Sequence, residues 1–125
     1  MEKKFKKNVA LENSESGYTG ISPDAIKQIA GNVAMECFGI VGMASVGMTD
    51  GIVSLLKKDS LTKGVETEIK NGEISVVFHI IVAYGVSIMA VSENLIENVK
   101  YKLEAFTGMK VKNVEVYVEG VKPVD

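Results

Sequence analysis

Residues 64–85, GVETEIKNGEISVVFHIIVAYG, decide the fold of this chain. Two runs rich in β-branched residues flank Asn71-Gly72, and an Asn-Gly pair between such runs is the strongest short-range signal for a β-hairpin. A two-residue turn at this pair places Val65 opposite Phe78 on the neighbouring strand. The sequence therefore predicts an antiparallel hairpin with a fixed register.

The two faces of this hairpin differ in polarity, because successive side chains of a strand point to opposite sides. One set is apolar and is expected to face the core: Val65, Thr67, Ile69, Ile74, Val76, Phe78, Ile80, Val82 and Tyr84. The opposite set is mixed and carries Glu66, Glu68, Ser75, Val77, His79 and Ile81. We call this second side the outer face and expect it to be only partly covered.

The segments on either side of the hairpin predict two helices and a final strand. Residues 22–24, Ser-Pro-Asp, supply a hydroxyl cap, a first-position proline and an early acid, and apolar residues follow at helical spacing as far as Cys37. A longer apolar stripe covers residues 88–106 and ends before Gly108, which occupies the position of a helix C-cap. Alternating valines then predict a last strand over residues 111–119.

These elements predict an α+β fold, a two-layer sandwich in which a mixed sheet of three to four strands packs on two main helices. The order is β-α-(α)-β-β-α-β, with a brief first strand at residues 18–21 and a short helix at about residues 50–58. We expect a flexible basic and polar N-terminal lead at residues 1–17. A single domain follows at residues 18–121, with a C-terminal tail at residues 122–125.

Composition indicates a globular protein kept in the cytoplasm. The chain has 125 residues, 46% of them hydrophobic, which suits one ordinary domain. No apolar run approaches the roughly 20 residues that cross a bilayer. A single cysteine excludes an internal disulfide and agrees with a reducing compartment.

Charge is unevenly distributed along the chain. Residues 1–7 hold four lysines against Glu2, a balance of +3, whereas the remainder has ten lysines against fifteen acids, a balance of −5. The basic residues are all lysines, and the chain has no arginine. Because arginine makes most bidentate contacts to phosphates and guanine, this composition argues against nucleic acid as a partner.

The N-terminal lysines predict a weak contact with an anionic membrane surface. Lys3, Lys4, Lys6 and Lys7 surround Phe5, a pattern that attracts acidic headgroups. A solvated, solubilising tail is the plainer interpretation of the same residues.

No residue pattern in the chain indicates a reaction centre, and we predict no enzyme activity, cofactor or metal. Cys37 and His79 are the single cysteine and histidine, whereas a structural zinc site takes four such ligands. No serine lies in G-x-S-x-G, and the phosphate-loop patterns are missing. We expect Cys37 to be a buried thiol and His79 to be a sheet residue paired with solvent, Glu66 or Glu68.

The glycine-rich segment from Gly39 to Gly51 leaves one alternative function open. Gly39-Ile40-Val41-Gly42 follows a helix, and a GxxG loop between two helices is how KH domains hold a nucleic-acid backbone. The interior of this loop is apolar instead of basic. The alternative is therefore a KH-like nucleic-acid or small-ligand module that uses the loop at residues 39–51.

Several short motifs, in order along the chain, resemble the alkaline shock protein family, the envelope stress response proteins of Gram-positive bacteria. They span about residues 18–121 and are Ile21-Ser22-Pro23, Ile29-Ala30, Phe38-Gly39-Ile40-Val41-Gly42-Met43, Leu61-Thr62-Lys63-Gly64-Val65, Ala83-Tyr84-Gly85-Val86, Thr107-Gly108 and Val114 through Gly120. Where the family often has an aliphatic residue, this chain has Phe38. Members of this family have no established catalytic residues.

The resemblance implies a non-enzymatic structural or adaptor protein of the cell-envelope or alkaline stress response. Its expected partners are further copies of itself, a membrane-anchoring protein, or both, so that membrane contact is indirect or weak. Its expected location is the cytoplasm, with membrane association through a partner. Within the sequence, we expect the contact to lie on the outer face, at Val77, His79, Ile81 and Tyr117.

Overall fold

The computed structural model describes residues 22–47 and 51–123, and it confirms an α+β fold. Helix α1 (Pro23–Glu36) leads into strands β1 (Ile40–Val46) and β2 (Val53–Leu55), followed by a 3-10 helix (Lys58–Gly64). Strands β3 (Val65–Lys70) and β4 (Glu73–Ala83), helix α2 (Ile88–Thr107) and strand β5 (Lys110–Lys122) complete the chain.

Strand β4 is the centre of a mixed sheet. Strand β5 runs parallel to it along one edge, over the whole of β4. Strands β3 and β1 share the other edge and are antiparallel to β4: β3 pairs with its first half, and β1 pairs with residues 80–82. Strand β2 pairs with β1. The described sheet therefore has five strands, where the sequence analysis expected three to four.

The hairpin between β3 and β4 forms in the predicted register. Asn71 and Gly72 both have positive φ, +54° and +75°, as the two central residues of a type I′ turn require. Val65 pairs with Phe78, as expected from a two-residue turn. The local turn chemistry thus sets the side of the sheet on which every later β4 residue lies.

Both helices begin at a serine cap, and α2 ends at the glycine that the sequence predicts as its C-cap, whereas α1 ends at Glu36, before Gly39. The hydroxyl of Ser22 accepts a hydrogen bond from the Ala25 amide at 3.0 Å, and Ser87 does the same for Ala90 at 3.2 Å. Helix α2 ends at Gly108, which adopts the left-handed conformation with φ +75°.

The glycine-rich segment contradicts two predictions. Ile40–Val46 is a strand and not part of a GxxG loop between helices, and the predicted helix at residues 50–58 is absent from its described part, which contains β2 instead. Gly42 lies inside β1, and an added Cβ there would stand 3.1 Å from Cδ1 of Leu55. The missing side chain therefore allows Leu55 of the neighbouring strand to pack close to β1.

The loop on which the KH-like alternative depends does not form, since residues 40–46 are a strand. The predicted strand at residues 18–21 lies outside the described residues.

The core lies between the sheet and the two helices. It contains most of the predicted inward residues of β3 and β4, with Phe78, Ile80 and Val76 fully buried, whereas Thr67 is only partly buried. It also receives one apolar stripe from each helix. Tyr84 was predicted to continue the core face, but it is 77% exposed. The strand ends at Ala83 and the chain turns immediately afterwards, so the alternation stops one residue too early for Tyr84.

Candidate functional site: the outer face of the sheet

The outer face receives neither helix in the described part of the chain, because both helices pack on the side that carries Phe78 and Ile80. Its residues form rows across three strands. Glu66, Val77 and Glu115 share one row, and His79 and Tyr117 share the next. The row nearest the loops contains Gly42, Ile81 and Gly120.

His79 occupies the middle of this surface between two carboxylates. Its Nδ1 lies 2.7 Å from Oε2 of Glu119, and its Nε2 lies 3.1 Å from Oε2 of Glu66. The imidazole also stacks on Tyr117, with ring centroids 5.5 Å apart and planes inclined by 16°. The predicted partnership with Glu66 is confirmed, and the second partner is Glu119 instead of solvent or Glu68.

Glu119 lies at a β-bulge next to the row of His79. Ile80 pairs with Val118 and Ile81 with Gly120, so Glu119 is the extra residue on β5. It follows Glu115 and Tyr117 at alternate positions of the strand, which places its side chain on the outer face. Its carboxylate reaches Nδ1 of His79, although the register pairs His79 with Tyr117.

The environment of His79 favours the charged imidazolium. Burial lowers the pKa of His79, but hydrogen bonds and charge from Glu119 and Glu66 outweigh that effect, so the pKa lies above its ordinary value of 6.5. In this form both ring nitrogens donate, and neither has a lone pair available for a proton or a metal. The arrangement suits a structural ion-pair network better than a general base.

Tyr117 extends this network toward the solvent. Its hydroxyl donates to Oε1 of Glu115 at 2.9 Å, and the amide of Asn113 donates to the other oxygen of the same carboxylate at 3.2 Å. The hydrogen bond and negative charge of Glu115 raise the pKa of Tyr117. The ring itself stays 49% exposed, so it presents an apolar surface among acids.

Two ends of the outer face differ in chemistry. The acidic end consists of Glu66, Glu115 and Glu119 around His79 and Tyr117, with Glu68 one row beyond Glu66 and beside Lys112. The apolar end consists of Val46, Val53 and Leu55, on strands β1 and β2. Leu55 is 56% exposed, although it packs close to Gly42 and above the row of Ile81.

Of the four predicted contact residues, three differ clearly in exposure. Ile81 lies on the outer face but is only 8% exposed, because the glycines beside it let neighbouring side chains close over it. Val77 is half-buried between Glu66 and Glu115. Tyr117 is the most exposed of the set. The predicted membrane-contact residues Lys3, Lys4, Phe5, Lys6 and Lys7 lie outside the described residues.

Sequence reasoning missed the apolar end of this surface. Val53, Ser54 and Leu55 form a strand of three residues, which is too short for alternation to distinguish it from a helical turn. The pairing of Val46 with Val53 and of Ala44 with Leu55 crosses the glycine-rich segment. An apolar residue at each outward position of β2 was the one available signal.

Cys37 has the buried position that its helical spacing predicted. Its thiol donates to the carbonyl of Val33 at 3.3 Å, and the amide of Asn98 approaches its sulfur at 3.5 Å. It belongs to the core on the helix side, whereas His79 points from the opposite side of the sheet. The two residues therefore do not form a catalytic pair. Within residues 22–47 and 51–123, no cluster of three potential ligands could hold a metal ion.

An apolar cleft of about 500 Å³ lies at the start of α2, away from the outer face. Its lining includes Phe38, Val86, Ala90 and Val91, with Asn94 at its edge. Phe38 is strongly exposed there. The lining is uncharged, so it selects no chemical class of partner.

Fold and surface together define a small α+β module that buries one side of its sheet and presents the other as a mixed acidic and apolar surface. No helix among the described residues is long and apolar enough to cross a membrane. The family model for the alkaline shock protein 23 family, described as having a cell envelope-related function, matches residues 11–123. The chain belongs to this family, as its motifs suggested.

Relatives from two Gram-positive bacteria support the assignment. The chain is 37% identical to YloU of Bacillus subtilis strain 168 over 107 residues, 85% of this chain and 89% of YloU. It is 40% identical to Spy1614 of Streptococcus pyogenes serotype M6 over 113 residues, 90% of this chain and 93% of that protein. YqhY of Bacillus subtilis is 27% identical over 111 residues, 89% of this chain and 82% of YqhY. No solved structure gives a significant match.

Proposed function

We propose that this protein is a non-enzymatic structural or adaptor component of the bacterial cell envelope that acts through its outer face. The surface either joins copies of the chain or docks to a membrane-anchored partner from the cytoplasmic side. Two findings support the proposal: the family has a cell envelope-related function, and it is not a known enzyme family.

The observation that carries the proposal is the contrast between exposure and chemistry on the outer face. Tyr117, Val53 and Leu55 expose apolar surface on one side of a sheet whose other side packs on both helices. Aromatic and aliphatic anchors surrounded by polar groups are typical of protein contact surfaces. A long edge strand, β5, adjoins the same surface and offers backbone groups for pairing.

Sedimentation velocity over a wide concentration range tests this proposal. We expect the parent chain to form larger species as concentration rises. Tyr117→Lys and Leu55→Lys should each raise the concentration needed for assembly by at least about tenfold, as loss of a contact anchor does. Both side chains are exposed, so the variants should keep the far-ultraviolet spectrum of the parent. Ile81 is unsuitable, since a lysine there would report on folding.

Tyr101→Lys provides the matched control, because Tyr101 is 73% exposed on α2, away from the outer face. It should assemble like the parent chain. If Tyr117→Lys and Leu55→Lys also assemble like the parent, the outer face is not the self-contact. If the parent is a monomer at every concentration, self-association is wrong and docking to a different protein is the remaining form of the proposal.

A further inference from the structure

We infer that residues 3–11 of this chain, which we call the N-terminal strap, bind in cis across the outer face and compete with its partners. The inference rests on the proposed function in treating that face as a docking surface. It adds an occupant that the chain itself supplies, and therefore a means of regulating access to the surface.

Charge complementarity is the first support for the strap. The segment reads KKFKKNVAL, and with Glu2 included residues 1–11 carry a net charge of +3. The acidic end of the outer face contributes four glutamates against two cations, the His79 imidazolium between Glu66 and Glu119 and Lys112 beside Glu68, which leaves a balance of −2. Attraction between these groups is strong at low salt and is screened over about 10 Å at 0.1 M salt.

The order of residues in the strap matches the order of chemistry on the face. Lys3 to Lys7 precede Val9, Ala10 and Leu11, so a cationic part is followed directly by an apolar part. On the sheet, Tyr117 on β5 and His79 on β4 share a row. On the other side of β4, Met43 pairs with Ile80, and Ala44 with its partner Leu55 comes next in the direction of His79. Nine extended residues span about 30 Å, enough to cover both ends of the surface at once.

Phe5 gives the cationic part an apolar anchor of its own. It lies between two pairs of lysines, and the acidic end of the face offers the exposed ring of Tyr117 beside Val77. An aromatic pair at this position would bury the largest exposed side chain at the acidic end. Lysines on both sides would then meet the glutamates of β3 and β5.

The length of chain before α1 permits this contact. The described structure begins at Ser22, the N-cap of α1, and Leu11 lies eleven residues earlier. Eleven extended residues reach at most about 36 Å, compared with a radius of gyration near 13 Å for a domain of this size. The segment can therefore pass from the helix layer to the outer face of the same molecule.

Paramagnetic relaxation in the full-length chain tests the strap. The isotope-labelled chain carries the substitutions Cys37→Ala and Asn8→Cys, and a nitroxide is attached to the thiol at position 8 of the same molecule. Its single histidine, His79, gives one imidazole signal. We expect selective broadening of the His79 imidazole and of the Val77 and Leu55 methyl signals. Met89 and Tyr101, exposed on α2, should keep sharp signals. About 0.5 M NaCl should remove most of the broadening through screening.

Two charge-reversal variants separate the strap from a general charge effect. Lys6→Glu/Lys7→Glu should abolish the selective broadening and lower the concentration needed for assembly, because the face becomes available. Lys100→Glu/Lys102→Glu makes the same charge change on exposed positions of α2 and should alter neither. The strap in cis is wrong if no broadening is seen, or if the signals of α2 broaden as strongly as those of the outer face. It is also wrong if broadening appears only when labelled and unlabelled chains are mixed, because the contact is then between molecules.

A vesicle control distinguishes the strap from membrane binding. If Lys6→Glu/Lys7→Glu abolishes co-sedimentation with phosphatidylglycerol vesicles but the parent shows no selective broadening, the lysines bind lipid and the strap is wrong. Failure of the proposed function is recognised separately: Tyr117→Lys would then assemble like the parent, whatever the broadening shows.

Discussion

The two sides of one sheet make the informative comparison in this protein. On the helix side, β4 contributes Phe78 and Ile80, both fully buried beneath α1 and α2. On the outer face, the alternate residues of the same strand are His79, between two carboxylates, and Ile81, beneath the side chains of a short strand pair. Neighbouring residues of β4 therefore have different roles: Phe78 and Ile80 belong to the core, whereas His79 forms ion pairs on the opposite side of the sheet.

The difference separates the side of the sheet that stabilises the fold from the side that we propose for recognition. The helix side excludes water and supplies most of the apolar burial that stabilises the fold. The outer face is held by the ion pairs of His79 and by the approach of Leu55 to Gly42. We expect substitutions on the two sides to produce correspondingly different effects.

Neighbouring isoleucines test this comparison with the largest expected effect on folding. Ile80→Ala should lower the free energy of unfolding by about 3–5 kcal/mol, since the rigid core cannot collapse around the cavity. Ile81→Ala should cost about 2 kcal/mol, the low end for a buried isoleucine, because the partly exposed Leu55 can close over the space. Urea denaturation measures both variants. Equal losses would show that the outer face is packed as tightly as the core.

Two glycines sharpen the same comparison at the scale of one methyl group. An added Cβ at Gly64 would lie 3.0 Å from the backbone oxygen of Ala44 and 3.2 Å from Cβ of Met43. Gly64→Ala should therefore cost about 1–3 kcal/mol through overpacking.

Gly42→Ala is the counterpart on the outer face. Its added Cβ would come closest to the end of the Leu55 side chain, at 3.1 Å, which can rotate toward solvent, and would make an ordinary contact with Cβ of Ile81 at 3.9 Å. We expect a loss below about 1 kcal/mol in thermal or urea unfolding. A loss as large as that of Gly64→Ala would mean that β2 is held rigidly over the sheet.

The pH dependence of stability is the smallest expected effect and isolates the acidic end. Because the folded pKa of His79 is raised, its stabilising contribution is complete below 6.5 and is lost as pH rises through the folded value. Stability measured between about pH 6 and pH 9 should fall more in the parent than in His79→Gln. The facing groups are Glu66, Glu119 and Tyr117, and identical profiles would remove His79 from the network.

The predictable parts of this fold are those whose signals are local. Asn71-Gly72 specifies the hairpin, and the hydroxyls of Ser22 and Ser87 specify where the helices begin. Strand β1 was missed because its partner in β4 lies some forty residues later in the chain, and its glycines resemble a loop when read in isolation.

The sequence predicts on which side of the sheet the candidate residues lie, but not the contacts that their side chains make. The period of two in β4 placed Val77, His79 and Ile81 on one side of the sheet, and the structure has them there. Alternation along β5 also places Glu119 on this side, but its contact with His79 depends on how β5 aligns with β4, which no local pattern indicates. The burial of Ile81 depends on the approach of β2 from a different part of the chain.

Methyl and imidazole signals followed across a dilution series give the most direct test of the outer face as a docking surface. We expect the signals of Leu55, Val77 and the single histidine, His79, to change with concentration while those of Met89 on α2 stay constant. Changes confined to Met89 and the neighbouring apolar cleft, with a constant outer face, would contradict the central claim.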